Sequence, residues 1–300
     1  MKNKDMKKIM EKIKIFLMLL LLLATAWSCK EDDLSSESIF KESTAEQTDF
    51  DRWLLSNYTY PYNITFKYKM QDIESNRDYQ LAPATVEKSI ATAKLVKYLW
   101  IETYDEIAGI DFTRKYIPKV IHLIGSGGYN STGSVVLGTA SQGMKITLYD
   151  INGMDVKNLD ALRNGYFKTM YHEFAHILHQ NKNYSVDFEA ISHNDYVSDD
   201  WSASTETLAL AYSKGFVSRY ARKEPNEDFV ETLAYFVVLG QANWDGILAA
   251  AGPAGADIIN AKFDIVKDYL SVSWGIDIYE LRRIFERRLA SLDQLDLVNP

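Results

Sequence analysis

Apolar and polar residues alternate early in this chain and recur with helical spacing later, and the change of period divides it. In "NITFKYKM" (63–70), Ile64, Phe66, Tyr68 and Met70 alternate with polar residues, which predicts a half-buried strand. Residues 85–108 carry apolar groups every three or four positions and predict an amphipathic helix ending at Gly109. "KVIHLIG" (119–125) is nearly unbroken in its apolar character and predicts a buried strand. "GSGGYNSTG" (125–133) reads as a loop, and no Lys-Ser or Lys-Thr follows to make it a phosphate cradle. "SVVLGTA" and "MKITLYDI" predict two strands of a hairpin around Ser141–Gly143. From about Leu159 the pattern is helical, over 159–181, 203–221, 226–239, 256–271 and 278–292, with breaks at Gly215, Pro225, Gly240 and Pro253. Strands first and helices afterwards predict an α+β fold, a mixed sheet followed by a helical C-terminal half.

The first 28 residues do not belong to that pattern. Six lysines precede the apolar run "IFLMLLLLLATAW", which is too short for a spanning helix and reads as a secretory signal. It stops at Cys29, the one cysteine of the chain, so no internal disulfide can form. Cys29 is either an incidental thiol or the acylated first residue of the mature protein. "AWSC" resembles a bacterial lipobox, which implies the second. A diacylated cysteine anchors strongly, because each buried methylene contributes about 0.8 kcal/mol. Residues 29–50, polar and acidic, read as a tether. Their opening "KEDD" resembles an export tag of surface lipoproteins, which implies an outer-membrane lipoprotein facing outward. Residues 51–300 are left as the folded domain.

Removing residues 1–28 takes six of 33 basic and two of 41 acidic side chains, leaving a net charge of −12. That charge repels phosphate backbones and argues against a nucleic-acid partner. Apolar residues make up 47% of the chain, enough for a sizeable core over about 250 residues.

The chemistry is concentrated in "TMYHEFAHILHQN" (169–181), which holds three of the five histidines. On a helix, His172 and His176 lie one turn apart on one face and can reach one ion, while Glu173 can reach a water beside it. This H-E-x-x-H arrangement is the zinc metallopeptidase pattern. The competing reading is a hydrogen-bonded pair of core histidines. His179 sits about 4.5 Å further along the axis, where it either joins the metal or lines the site. His193 is a loop candidate. For a third ligand, Glu231 stands among Phe229, Val230, Leu233, Ala234, Phe236 and Val237, a setting that calls for a reason. The alternative is that Glu227, Glu231 and Tyr235 form a solvated helix face. Asn226 reads as the cap of this helix.

"HEFAHILHQ" and "GFVSRYARKEPNEDFVETLA" (215–234) resemble the substrate-import-associated zinc metallohydrolase lipoproteins and, more distantly, the gluzincin catalytic domain of anthrax lethal factor. The resemblance implies a zincin-like fold and Glu231 as the third zinc ligand. It also implies Tyr220 as counterpart of the tyrosine that precedes the glutamate ligand in the toxin. It implies a neighbouring outer-membrane nutrient transporter as a partner.

The expected function is therefore peptide-bond hydrolysis with one zinc ion (Zn2+) per chain, Glu173 as general base and Tyr220 as an oxyanion donor. An extended peptide would add to "SVVLGTA" or "MKITLYDI". Hydrolysis of another amide or an ester uses the same chemistry. The alternative from a different class is a surface binding module with structural or vestigial zinc, to which the Tyr and Trp residues (Trp53, Tyr58, Tyr60, Tyr62, Trp201, Trp244, Trp274) would contribute.

Overall fold

The structure, a computed structural model, describes residues 46–71, 75–76, 78–129, 135–136, 138–141 and 144–300, together with a few positions before residue 17, and for 129–141 the backbone alone. Cys29 and most of the expected signal segment and tether lie outside the described residues. The chain divides into two units, Met1–Glu46 and Gln47–Pro300, and the second carries everything below.

It opens on a helical segment, α1 (49–62), capped by Thr48, whose side chain accepts from the Asp51 amide while Asp51 reaches back to the Thr48 amide. The pattern of apolar positions predicts no helix here. Strand β1 (Thr65–Lys67) follows. The alternation of 63–70 persists, with Ile64, Phe66 and Tyr68 buried, but only three residues join a ladder. Helix α2 (86–108) covers the predicted span, with a π-helical turn at Lys97–Ile101, and ends at Gly109. A short α3 (Ile110–Tyr116) leads into β2 (Val120–Leu123). After a two-residue pair, β3 (Gly128–Tyr129) with β4 (Val135–Val136), come β5 (Gly138–Ser141) and β6 (Lys145–Leu148).

The main sheet has the order β1-β2-β6-β5, with β1, β2 and β6 parallel and β5 antiparallel to β6. The predicted hairpin is thus present, and it inserts β6 between β2 and the edge strand β5. Ile121, Leu123, Ile146 and Leu148 are fully buried, which is why β2 reads as a continuous apolar run: a central parallel strand is covered on both faces.

The helical half begins with α4 (159–181), continuous through a π-helical turn at Leu162–Phe167. Then come α5 (Asp187–Ser192), α6 (Leu208–Ser213), α7 (Pro225–Leu239), α8 (Gln241–Tyr269) and α9 (Ile278–Leu289). The helix predicted over 203–221 shrinks to six residues, because Gly215 turns the backbone to φ +81° and no side chain fits there: a Cβ would sit 2.1 Å from Ile258. Helix α8 starts earlier than the predicted 256 and breaks at Gly252, where the residue before Pro253 cannot remain helical. The architecture is α+β, as expected. Most of the aromatic residues considered for binding are core or packed against it: Tyr58, Tyr62 and Trp244 are buried, Trp53 and Trp274 half-buried, and Tyr60 is exposed.

Candidate metal centre

Helices α4 and α7 pack side by side in opposite directions, joined by polar contacts. From one end, His176 and His172 meet Glu227, His172 and Lys168 meet Glu231, Lys168 lies over the Tyr235 ring, and Arg163 donates to the Val238 carbonyl. Each step on α7 is one turn, so the stripe Glu227–Glu231–Tyr235 faces α4. Periodicity identified the stripe, but it lies against a helix rather than in solvent: Glu227 is 7% and Glu231 1% exposed.

The two glutamates divide the work. Glu231, expected as the third ligand, turns Oε1 to His172 Nδ1 at 2.8 Å and accepts from Ser218 Oγ on Oε2 at 2.6 Å, with Lys168 Nζ at 3.4 Å. Glu227, one turn earlier, places Oε2 3.2 Å from Nε2 of both His172 and His176. Its Oε1 accepts from the Tyr220 hydroxyl at 2.8 Å and from Lys223 at 3.3 Å. His172, His176 and Glu227 are the residues whose ligand atoms all lie within 4.8 Å of one another.

Does that donor set fit zinc? Zinc bonds to nitrogen and oxygen of about 2.0–2.1 Å, at tetrahedral angles, hold neighbouring donors about 3.3 Å apart. The 3.2 Å separations around Glu227 match. The far nitrogens are held as a metal site requires. The Glu231 carboxylate can only accept, so His172 Nδ1 carries a proton and Nε2 is the nitrogen left to offer its lone pair to a metal. His176 Nδ1 lies 2.9 Å from His179 Nε2, so His179 lines the site by orienting His176. Burial and His176 push His179 down to about 4, which keeps it neutral and able to accept that bond.

Electrostatics are consistent with a cation between these groups. Burial works against ionisation of Glu227, yet His172, His176 and Tyr220 hold its carboxyl far below the usual range. Burial likewise opposes ionisation of Glu231, but Lys168, His172 and Ser218 hold it at about 2. Without a metal, the two carboxylates outweigh the burial of His172 and push it up to about 9, so a proton stands where a cation would. Tyr220 is pushed well up, by burial first and then by Glu227, so its hydroxyl stays a donor. Glu173 is half-buried beside its neighbours, and its charge acts on both His172 and Tyr220.

Supports from other elements fix this arrangement. Glu224 is the residue before α7, and Pro225 rather than Asn226 starts it; Asn226 instead accepts from Tyr184. Asp228, next to Glu227, pairs at 2.7 Å with Lys262 of α8, both fully buried, and Lys262 also donates to the Gly215 carbonyl and lies 3.6 Å from the Phe216 ring centre. Trp201 meets the Tyr220 ring edge-on at 4.8 Å, in a segment tied to Arg222 and Lys223 by backbone hydrogen bonds. His193 is exposed, pairs with Glu189 and takes no part. Lys168 and Ser218, which both reach Glu231, are not among the residues that the sequence pattern singles out. Lys168 was open to detection, four residues before His172 on the same helix. Ser218, in a turn between helices, gave no periodic signal.

A solved crystal structure of a protein from Bacteroides caccae, described as a "putative zinc-binding metallo-peptidase", is similar over 87% of this chain and 99% of its own, at 46% identity and a TM-score of 0.76. None of the curated proteins matches this chain. The family described as "Putative zinc-binding metallo-peptidase" matches residues 42–279, and with that match and the arrangement around His172, His176 and Glu227, the chain belongs to this family.

Proposed function

We propose that this protein is a zinc-dependent hydrolase of peptide bonds, with one zinc ion held by His172, His176 and Glu227. The observation that carries the reading is the single Glu227 oxygen set 3.2 Å from two imidazole nitrogens whose opposite sides are both fixed by hydrogen bonds. Zinc bound there supplies a Lewis acid that lowers the pKa of a coordinated water toward ~7 and polarises a carbonyl. Glu231 and His179 are not ligands in this reading; they aim the two histidines. Glu173 takes the proton of the attacking water and passes it to the leaving amine. Tyr220, held protonated, releases Glu227 and donates to the oxyanion. Of the two strands considered for substrate, β6 is paired on both sides, so β5, at the sheet edge and against α4, is the one that receives an extended peptide.

The placement proposed for this activity rests on the resemblances of the sequence: a lipid anchor on Cys29, in the outer membrane and facing outward, beside a nutrient transporter that takes up what is released. The test is zinc content and peptide turnover of the purified chain beside its Glu173→Gln variant. The expected result is one zinc per chain in both and turnover in the parent alone. Full turnover in the variant would refute the role of Glu173, and absence of zinc from folded parent protein would refute the reading as a whole.

A further inference from the structure

The face of α4 that carries Glu173 continues through Ile177 and Gln180, four and seven residues on and therefore within about 40° of it around the axis. It ends in a pocket of about 260 Å³ lined by Lys115, Tyr116, Ile117, Lys119, Met144, Ile177, Gln180 and Asn181. One wall of that pocket is the C-terminal end of the motif helix, and Met144, the residue before β6, borders it beside the edge of the proposed peptide groove.

Its chemistry differs from the rest of an acidic chain. Lys115 is exposed, with its ammonium 5.0 Å from the Tyr116 ring centre, and no carboxylate pairs with it among the described residues. Lys119 donates to the carbonyls of Tyr62 and Arg114, is half-buried, and likewise has no carboxylate partner among them. Gln180 and Asn181 add amides, while Ile177, Tyr116 and the exposed Met144 offer apolar surface. An unpaired ammonium, amide donors and a short apolar wall suit a carboxylate on an aliphatic stem.

Position follows from two rises. Ile177 and Gln180 lie about 6 and 10.5 Å beyond Glu173 along the helix, which an extended peptide spans in two to three residues at about 3.3 Å each. Strand β5 runs toward the hairpin turn beside Met144. A peptide pairing antiparallel to it, the more stable mode, runs away from that turn, so residues over the pocket precede the bond cut. We infer that this pocket is a subsite for a glutamate or aspartate side chain two or three residues before the scissile bond. The inference rests on the peptide-hydrolase reading for the location of that bond.

Two measurements on the zinc-loaded full chain separate the subsite from that reading. The first is cleavage profiling of a mixed-sequence peptide library, for the parent, Lys115→Glu and Lys115→Arg. The expected profile is an enrichment of Glu and Asp at those positions, about two- to five-fold over Lys, as for an exposed ion pair. It is lost or reversed in Lys115→Glu and kept in Lys115→Arg. The second is fluorescence-polarisation binding of Glu- and Lys-containing versions of one peptide to Glu173→Gln and to Glu173→Gln/Lys115→Glu. A preference for the acidic peptide that disappears with the second substitution upholds the subsite even if nothing is cleaved, in which case the hydrolase reading alone falls. A flat profile, or equal binding of the two peptides, overturns the subsite.

Discussion

Which glutamate of α7 binds metal is decided by comparing Glu227→Gln with Glu231→Gln. Both side chains are buried against α4 and both touch His172, but through different nitrogens: Glu227 faces Nε2, Glu231 faces Nδ1. Replacing Glu227 removes a donor atom, and nothing beside it can substitute, since Tyr220 and Lys223 only donate to its other oxygen. If the roughly 10–16 kcal/mol of a four-donor zinc site is shared evenly, one donor is worth about 2.5–4 kcal/mol, a loss of about 70- to 900-fold. Replacing Glu231 leaves three donors. Its amide oxygen can still accept from His172 Nδ1, so the loss is that of an orienting partner, about 10–100-fold, or 1.4–2.7 kcal/mol. Competition against a chromogenic chelator at fixed pH measures both, with circular dichroism to confirm folding. The expected order is parent, then Glu231→Gln, then Glu227→Gln, the last by a further factor approaching about ten. If Glu231→Gln loses more affinity than Glu227→Gln, the assignment is wrong and Glu231 is the third ligand.

Two other predictions concern charge. In metal-free protein His172 is raised from 6.5 to about 9, so the stability it contributes is fully present below pH 6.5 and is lost as pH rises through about 9. Thermal unfolding should show the metal-free midpoint falling over that window while the zinc-loaded midpoint does not, because there His172 Nε2 binds metal instead of a proton; a metal-free midpoint that rises from pH 6.5 to 9 refutes this. Lys262→Met should destabilise the fold by about 3–5 kcal/mol, because Asp228 is left buried without its partner, having already been pushed up to about 6 by burial in spite of Lys262. Adding Asp228→Asn should recover part of that loss in urea unfolding, and a double variant less stable than Lys262→Met would show that the pair is not the cause.

The sequence by itself determined the local facts. A period of 3.6 placed His172, Glu173 and His176 on one helix and put Glu227, Glu231 and Tyr235 on one stripe of another, because helical geometry fixes which side chains share a face. It also placed the hairpin and the buried strand β2, whose unbroken apolar run is the mark of a strand covered on both sides. Of the helix predicted over 203–221 only Leu208–Ser213 forms; the break read at Gly215 is present, but that the chain beyond it brings Ser218 and Tyr220 to the candidate metal centre depends on distant residues. Tertiary structure alone decided whether the stripe on α7 met solvent or α4, and at what register. A shift of one turn exchanges Glu227 for Glu231 opposite the two imidazole nitrogens, and periodicity cannot see it, since residues four apart occupy the same face. The register is set by contacts far apart in sequence: the buried Lys262–Asp228 pair, the Ser218 hydroxyl on Glu231, and Arg163 on the Val238 carbonyl.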